Sequence, residues 1–238
     1  MICLKRIDRI LSEQTNYSRK DIKKLVSKGE VLVNGNVVRK PDEKYDEDKI
    51  GIFIGKEKIS VNRHFYLLLN KPKGFVSTTI SLDDKTVIDL VPDKYKTRVL
   101  FPAGRLDKDT TGLMLITDDG VFAHNILSPK KHIKKVYEVV IDRDITEEMI
   151  SSFKEGVRLS DGECKSALLE KVDTNKCFVT LTEGRYHQIK RMFGCFKAKV
   201  VELKRISMGE LYLPSDLGVG EVREASDEEL LKIIGKNS

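Results

Sequence analysis

The segment Gly104-Arg105-Leu106-Asp107-Lys108-Asp109-Thr110-Thr111-Gly112-Leu113-Met114-Leu115-Ile116-Thr117 constrains the fold more than any other part of the chain. Its first half is a polar, glycine-bounded loop carrying carboxylates, and its second half is an apolar run of strand character. A buried strand therefore presents loop side chains from a rigid support, which is a good place for a catalytic acid. On spacing alone, Asp107 fits a turn or cap residue as well as a catalyst, and Asp109 fits a solvated turn acid.

The rest of the sequence from His64 onward reads as mixed α and β. Residues 65–69, 112–117, 137–141, 178–181 and 200–208 are predicted strands, and 121–127, 146–156, 186–195 and 227–234 are predicted helices. Ser226 with Glu229 gives the last helix a capping box. The N-terminal stretch has a different rhythm. Ile7, Ile10 and Leu11 recur at helical spacing, Ser18 and Asp21 cap a second helix carrying Ile22, Leu25 and Val26, and Lys28-Gly29 ends it. Asn34-Gly35 between β-branched segments predicts a type I′ hairpin. The acidic run 41–48 reads as a turn-rich connection, 50–54 as a short closing strand, and 56–63 as a linker. With 238 residues, two domains are expected, 1–60 and 64–238, in an α+β arrangement: a helix pair plus hairpin, then a mixed, largely antiparallel sheet with flanking helices.

The charge follows the same division. Residues 1–40 hold ten Lys/Arg against four Asp/Glu, so the whole formal excess of +6 lies there, and residues 41–238 balance at 33 of each sign. A basic module on a neutral body suits attachment to a polyanion, because cations that neutralise phosphates release condensed counterions. A solvated basic face without a partner fits the charge equally well.

No apolar run approaches the roughly 18 residues a bilayer span needs, and Met1-Ile2-Cys3-Leu4-Lys5-Arg6 lacks a signal-peptide core, so a cytoplasmic protein with no membrane partner is expected. Cys3, Cys164, Cys177 and Cys195 are far apart and form no C-x-x-C pair, which predicts reduced, mostly core thiols and no metal site. With no H-x-x-x-H, P-loop or paired acidic metal box, hydrolytic chemistry has little support.

Arg6 to Leu11, Ser18-Arg19, Lys24-Leu25 and Gly29 to Gly35 together resemble an S4 RNA-binding domain. That resemblance implies that Arg19, Lys20, Lys23 and Lys24 face RNA phosphates; their spacing alone also fits an ordinary solvated helix. The 104–117 segment resembles the G-R-L-D motif of the pseudouridine synthases, in the branch that includes RsuA. Leu69-Asn70-Lys71-Pro72-Lys73-Gly74, Lys135-Val136-Tyr137 and Glu183-Gly184-Arg185-Tyr186-His187-Gln188-Ile189-Lys190-Arg191-Met192-Phe193 match the other motifs of that branch, in order and over nearly the whole chain.

The resemblance implies isomerisation of a uridine in ribosomal RNA, without a cofactor, through Asp107. It makes Lys190 the cation beside the aspartate, Tyr137 the aromatic platform under the flipped base and Leu203 an apolar wall. Arg105 becomes a residue that evicts the uridine or holds its phosphate. Lys190 also fits a phosphate-binding helix with Arg185, Arg191, Lys197 and Lys199, since 184–201 contains no acid. Lys130, Lys131, Lys134 and Lys135 around His132 are expected to extend a basic rim. His132 and His187 are assigned structural hydrogen bonding, because the family gives no proton transfer to histidine.

One departure stands out: Lys197 occupies a position where relatives usually carry glycine, which implies strain if the backbone there is left-handed. Asp109 to Gly112, Thr117 to Gly120, His124 and Ser128-Pro129 look most like the branch member directed at 16S RNA, which implies a substrate within an assembling small subunit; a monomer is expected. Modification of 23S RNA and a catalytically silent RNA-binding assembly factor remain the alternatives.

Overall fold

The computed structural model describes residues 4–128 and 131–235; Cys3, Pro129 and Lys130, which figure above, lie outside the described residues. The chain forms two compact units. The first takes the described residues up to Phe65 together with Val91–Val99, and the second takes Tyr66–Leu90 and the chain from Leu100 onward.

The first unit contains β1 (Leu4–Arg6), α1 (Ile7–Gln14), α2 (Arg19–Ser27), β2 (Val31–Val33), β3 (Asn36–Val37), β4 (Lys44–Asp46), β5 (Ile52–Ile54) and β6 (Glu57–Ile59). Ser18 caps α2, its hydroxyl accepting from the Asp21 amide, and Gly29 leaves the helix at φ +73°. Asn34 and Gly35 both take positive φ, 51° and 81°, as the hairpin between β2 and β3 requires. Ile7, Ile10, Leu11, Ile22 and Val26 close over Val31, Val33, Ile52 and Ile54 as one core. Two stretches depart from the sequence reading. Within 56–63, residues Glu57–Ile59 form β6 against β5, and within the acidic run, Lys44–Asp46 pair with β1. Tyr95 meets Phe65 edge-on at 5.5 Å, and the Thr97 hydroxyl donates to the Glu13 carbonyl at 2.7 Å, which stitches 91–99 into this unit.

The second unit is a nine-stranded sheet with helices against it. Its strands are β7 (Tyr66–Lys71), β8 (Phe101–Pro102), β9 (Thr111–Thr117), β10 (Lys135–Ile141), β13 (Leu168–Lys171), β14 (Lys176–Leu181), β15 (Val200–Met208), β16 (Leu211–Tyr212) and β17 (Val222–Glu224). A separate small hairpin joins β11 (Arg158–Leu159) to β12 (Gly162–Glu163), and the helices are α3 (Gly120–Leu127), α4 (Glu147–Glu155), α5 (Gln188–Gly194) and α6 (Asp227–Ile234). The main order is β13-β14-β10-β15-β9-β7-β17, antiparallel except for the parallel contact of β15 with β9. The α+β, largely antiparallel architecture is as the sequence implies.

Strand β9 is apolar from Leu113 to Ile116, all buried, because both faces are covered. Leu113 and Leu115 pack with Ala123 and Ile126 of α3 and Leu230 and Ile233 of α6. On α4 and α5, Phe153 and Phe193 meet at 4.8 Å. The parallel seam depends on Gly112, at φ +98°: a Cβ there would lie 2.2 Å from the Arg205 carbonyl oxygen. Any side chain at this point would push β9 and β15 apart, so the glycine sets their spacing.

Candidate active site

The loop that precedes β9 is held from below. The Lys71 ammonium, wholly buried at the end of β7, lies 2.8 to 3.2 Å from the carbonyl oxygens of Pro72, Asp107, Lys108 and Thr110. Ser77 accepts from the Leu106 amide at 3.0 Å and donates to its carbonyl at 2.6 Å, and the Gly74 amide donates to the Lys108 carbonyl. The Thr110 amide bonds back to the Asp107 carbonyl, so Asp107 opens a tight turn. Burial pulls the Lys71 pKa down to about 8, against the opposing pull of Asp109 and Asp107. Lys71 stands in the Leu69–Gly74 motif, which by itself implies no role for it; its signal is a lysine at the end of an apolar strand, directly before proline.

Above this clamp, the Asp107 carboxylate faces a cavity of about 610 Å³ lined by Arg105, Tyr137, Tyr186, Lys190, Leu203 and Arg205 among others. Lys190 Nζ stands 3.0 Å from Asp107 Oδ2 and 2.5 Å from Asp109 Oδ1. Burial works against the Lys190 charge, but the bonds to Asp109 and Asp107 outweigh it and hold its pKa above the ordinary lysine value. Burial likewise opposes the Asp109 charge, and Lys190 overrides it, keeping that carboxyl below its usual range. The cation expected beside Asp107 is thus shared by two carboxylates.

Tyr137 and Leu203 lie almost wholly buried in the cavity wall on adjacent antiparallel strands, Tyr137 opposite Arg205 on β15 and Leu203 opposite Val139 on β10. Arg105 is exposed at the opening, and no ion pair involves it among the described residues. His187 takes a left-handed conformation, φ 47° and ψ 35°, just before α5, and its Nε2 approaches Asp107 Oδ1 to 3.4 Å. Tyr186 stacks on its ring at 3.9 Å and is 74% exposed. The turn they form explains why α5 begins at Gln188, two residues later than the spacing predicts.

Other basic residues are placed differently from a simple phosphate-binding face. Arg185 donates to the carbonyls of Asp161, Gly162 and Glu163, and Arg191 pairs with the Asp161 carboxylate, so both brace the β11–β12 hairpin. Lys131 and Lys134 are exposed, whereas Lys135 is 7% exposed and turns into the cavity rather than extending the rim. The reason is register: Lys135 shares the inward face of β10 with Tyr137. Lys197 sits at φ 57°, the left-handed region in which a side chain is strained. Arg19, Lys20, Lys23 and Lys24 are exposed and fall within one arc of α2 that adjoins the buried Ile22 and Val26.

Cys164 and Cys177 are buried and Cys195 is exposed; burial pushes the Cys177 thiol up to about 12. Among the described residues, no group of three or more His, Cys, Asp or Glu side chains could hold a metal ion. No helix among them is long and apolar enough to cross a membrane.

Comparison with known proteins places this geometry in a family context. The model for RNA pseudouridylate synthases matches residues 65–194, and that for the S4 domain matches 5–49. An uncharacterised RNA pseudouridine synthase of Bacillus subtilis strain 168 is 39% identical, covering 94% of this chain and 96% of its own. Ribosomal small subunit pseudouridine synthase A of Escherichia coli K12 is 35% identical over 96% of this chain and 100% of its own. A crystal structure of a pseudouridylate synthase aligns with a TM-score of 0.67 at 34% identity, covering 96% of this chain and 99% of that one.

Proposed function

This chain belongs to the RNA pseudouridylate synthase family, with an S4 domain ahead of the synthase region, and it isomerises uridine in RNA to pseudouridine; from that premise we propose that its substrate is a uridine of 16S ribosomal RNA within an assembling small subunit, and that it acts as a cytoplasmic monomer. Support for the target comes from the small-subunit enzymes of Escherichia coli and Yersinia pestis, each 35% identical over 96% of this chain.

The observation that carries the catalytic reading is Lys190 Nζ, 3.0 Å from Asp107 Oδ2 at the wall of a cavity that also presents Tyr137 and Leu203. Isomerisation breaks the bond from N1 to C1′, turns the base and rejoins it through C5, so no atom is gained or lost. Asp107 acts at the sugar, by attack on C1′ or by assisting elimination of the base. A carboxylate under a stacked base loses water and with it part of the stabilisation of its charge, and Lys190 supplies the replacement. Tyr137 and Leu203 receive the ring once it leaves its stack, a step that costs a few kcal/mol. Arg105, at the opening, meets the RNA backbone, while Arg185 and Arg191 shape the wall by fixing the hairpin.

Small-subunit particles carrying C5-tritiated uridine test the proposal. The purified protein should release tritium from them, and Asp107→Asn should lower the rate by at least about 10⁴-fold with RNA affinity unchanged. Release from large-subunit RNA alone would overturn the 16S assignment, and full activity in Asp107→Asn would remove this residue from the mechanism.

A further inference from the structure

Two cations lining the cavity have no counter-ion among the described residues. Lys135 and Arg205 are 7% and 1% exposed, both line the cavity, and they sit on neighbouring strands, Arg205 paired in register with Tyr137. Lys135 Nζ has one hydrogen bond, to the Ile133 carbonyl at 3.3 Å. Arg205 donates through Nε to the Leu113 carbonyl at 2.6 Å, and its Nη2, also buried, has no partner among the described residues. Among the described residues, no carboxylate pairs with either. Burial, together with the neighbouring Arg205, pulls the Lys135 pKa down to about 8. Buried like charges without a partner are costly, and apolar residues of similar volume would pack the same space more favourably.

We propose that Lys135 and Arg205 are catalytic residues that face the two carbonyl oxygens of the target uracil and stabilise the negative charge the base acquires on leaving the sugar. The inference rests on the pseudouridine synthase reading. When the bond from N1 to C1′ breaks, its electron pair stays on N1 and spreads over O2 and O4. This holds whether Asp107 attacks C1′ or the base is eliminated. The ring then turns, C5 bonds to C1′, the C5 proton passes to a base and N1 takes up a proton, so the composition is unchanged. Asp107 is the only carboxylate among the described residues lining the cavity, against Arg105, Lys108, Lys135, Arg185, Lys190 and Arg205. The cavity is thus suited to a ligand that becomes anionic during reaction. Donors fixed beforehand at O2 and O4 act on charge that appears only in the transition state, where such contacts accelerate chemistry.

The test pairs enzyme variants with single-atom changes in the substrate. RNA carrying uridine, 2-thiouridine or 4-thiouridine at the modified position is turned over once by the wild type, Lys135→Met, Lys135→Arg and Arg205→Lys. Lys135→Met and Arg205→Lys should each slow the uridine substrate about 100-fold with RNA affinity unchanged, and Lys135→Arg should recover part of the loss. Sulfur is a poor hydrogen-bond acceptor. For one of the two oxygens, the ratio of uridine to thiouridine rates should therefore fall at least about 10-fold in each slowed variant. Ratios unchanged from the wild type would mean a merely structural role and overturn the proposal. If Arg205→Lys does not fold, the Lys135 variants decide the matter alone. A wild type inactive on uridine RNA would instead break the reading on which the proposal stands.

Discussion

On the outward arc of α2, Arg19, Lys20, Lys23 and Lys24 stand exposed, whereas around the cavity Lys71, Lys135 and Arg205 are almost wholly buried. The two regions use the same chemical groups for different ends. Exposed ammonium and guanidinium groups keep their water, move freely and are screened by salt, so they gain affinity for any polyanion and discriminate little. Buried ones are fixed by carbonyl oxygens and strand register, and their fields act undiminished on whatever enters. Lys190 lies between these extremes, partly buried and tied to Asp107 and Asp109. We propose that docking and chemistry are carried by separate sets of charges.

If that division holds, substitutions in one region leave the other's measurement untouched. Among substitutions of these charges, the largest effect on rate is expected for Lys190→Met, which leaves Asp107 without its cation: the single-turnover rate should fall about 100-fold at saturating RNA, with the salt dependence of binding unaltered. The reverse pattern is expected when Arg19, Lys20, Lys23 and Lys24 are all changed to Gln. The slope of log affinity against log salt should drop in magnitude by about 3, while the saturated rate stays within about twofold. A saturated rate that fell with the slope would show that α2 takes part in positioning the reacting nucleotide.

A smaller effect, on stability, separates buried from exposed cations. Lys71 and Lys135 titrate near 8 in the folded chain and near 10.5 when unfolded, so between pH 8 and 9 the unfolded chain holds more protons. Stability of the second unit should rise with pH in that window, as the folded state sheds charges it buries at a cost. Above pH 9 the Cys177 thiol, raised to about 12, works in the opposite direction. Chemical denaturation at pH 7, 8 and 9 checks this. Lys71→Met should flatten the rise, and changing the α2 lysines should not.

Much of the fold was legible because its core elements are long and apolar. Residues 200–208 coincide with β15, and the helices at 121–127 and 227–234 differ from α3 and α6 by at most one residue. The misread stretches are short and polar. Glu57-Lys58-Ile59 offers one buried side chain, and Lys44-Tyr45-Asp46 owes its strand to pairing with Leu4 to Arg6, forty residues away. The site was legible to a different extent. Spacing left Asp107 level with a turn residue, and it does open a turn; its company with Tyr137, Lys190 and Leu203 came from the resemblance. Lys71, Ser77, His187 and Arg205 were not assigned to the site because their contacts bridge 29 to 92 residues of sequence, which no local pattern records.

The glycine seam between β9 and β15 has a consequence for the birth of the enzyme. On the β15 side, Thr111 and Gly112 pair with Lys204 and Arg205, so the cavity closes across more than ninety residues of intervening chain. A ribosome delivers Asp107 well before it delivers the strand that completes the pocket around it. A nascent chain halted before residue 205 has its first unit available to fold and to hold RNA, while the synthase half lacks its central partner strand. During its own synthesis, the protein should therefore become a binder of RNA before it becomes a modifier of it.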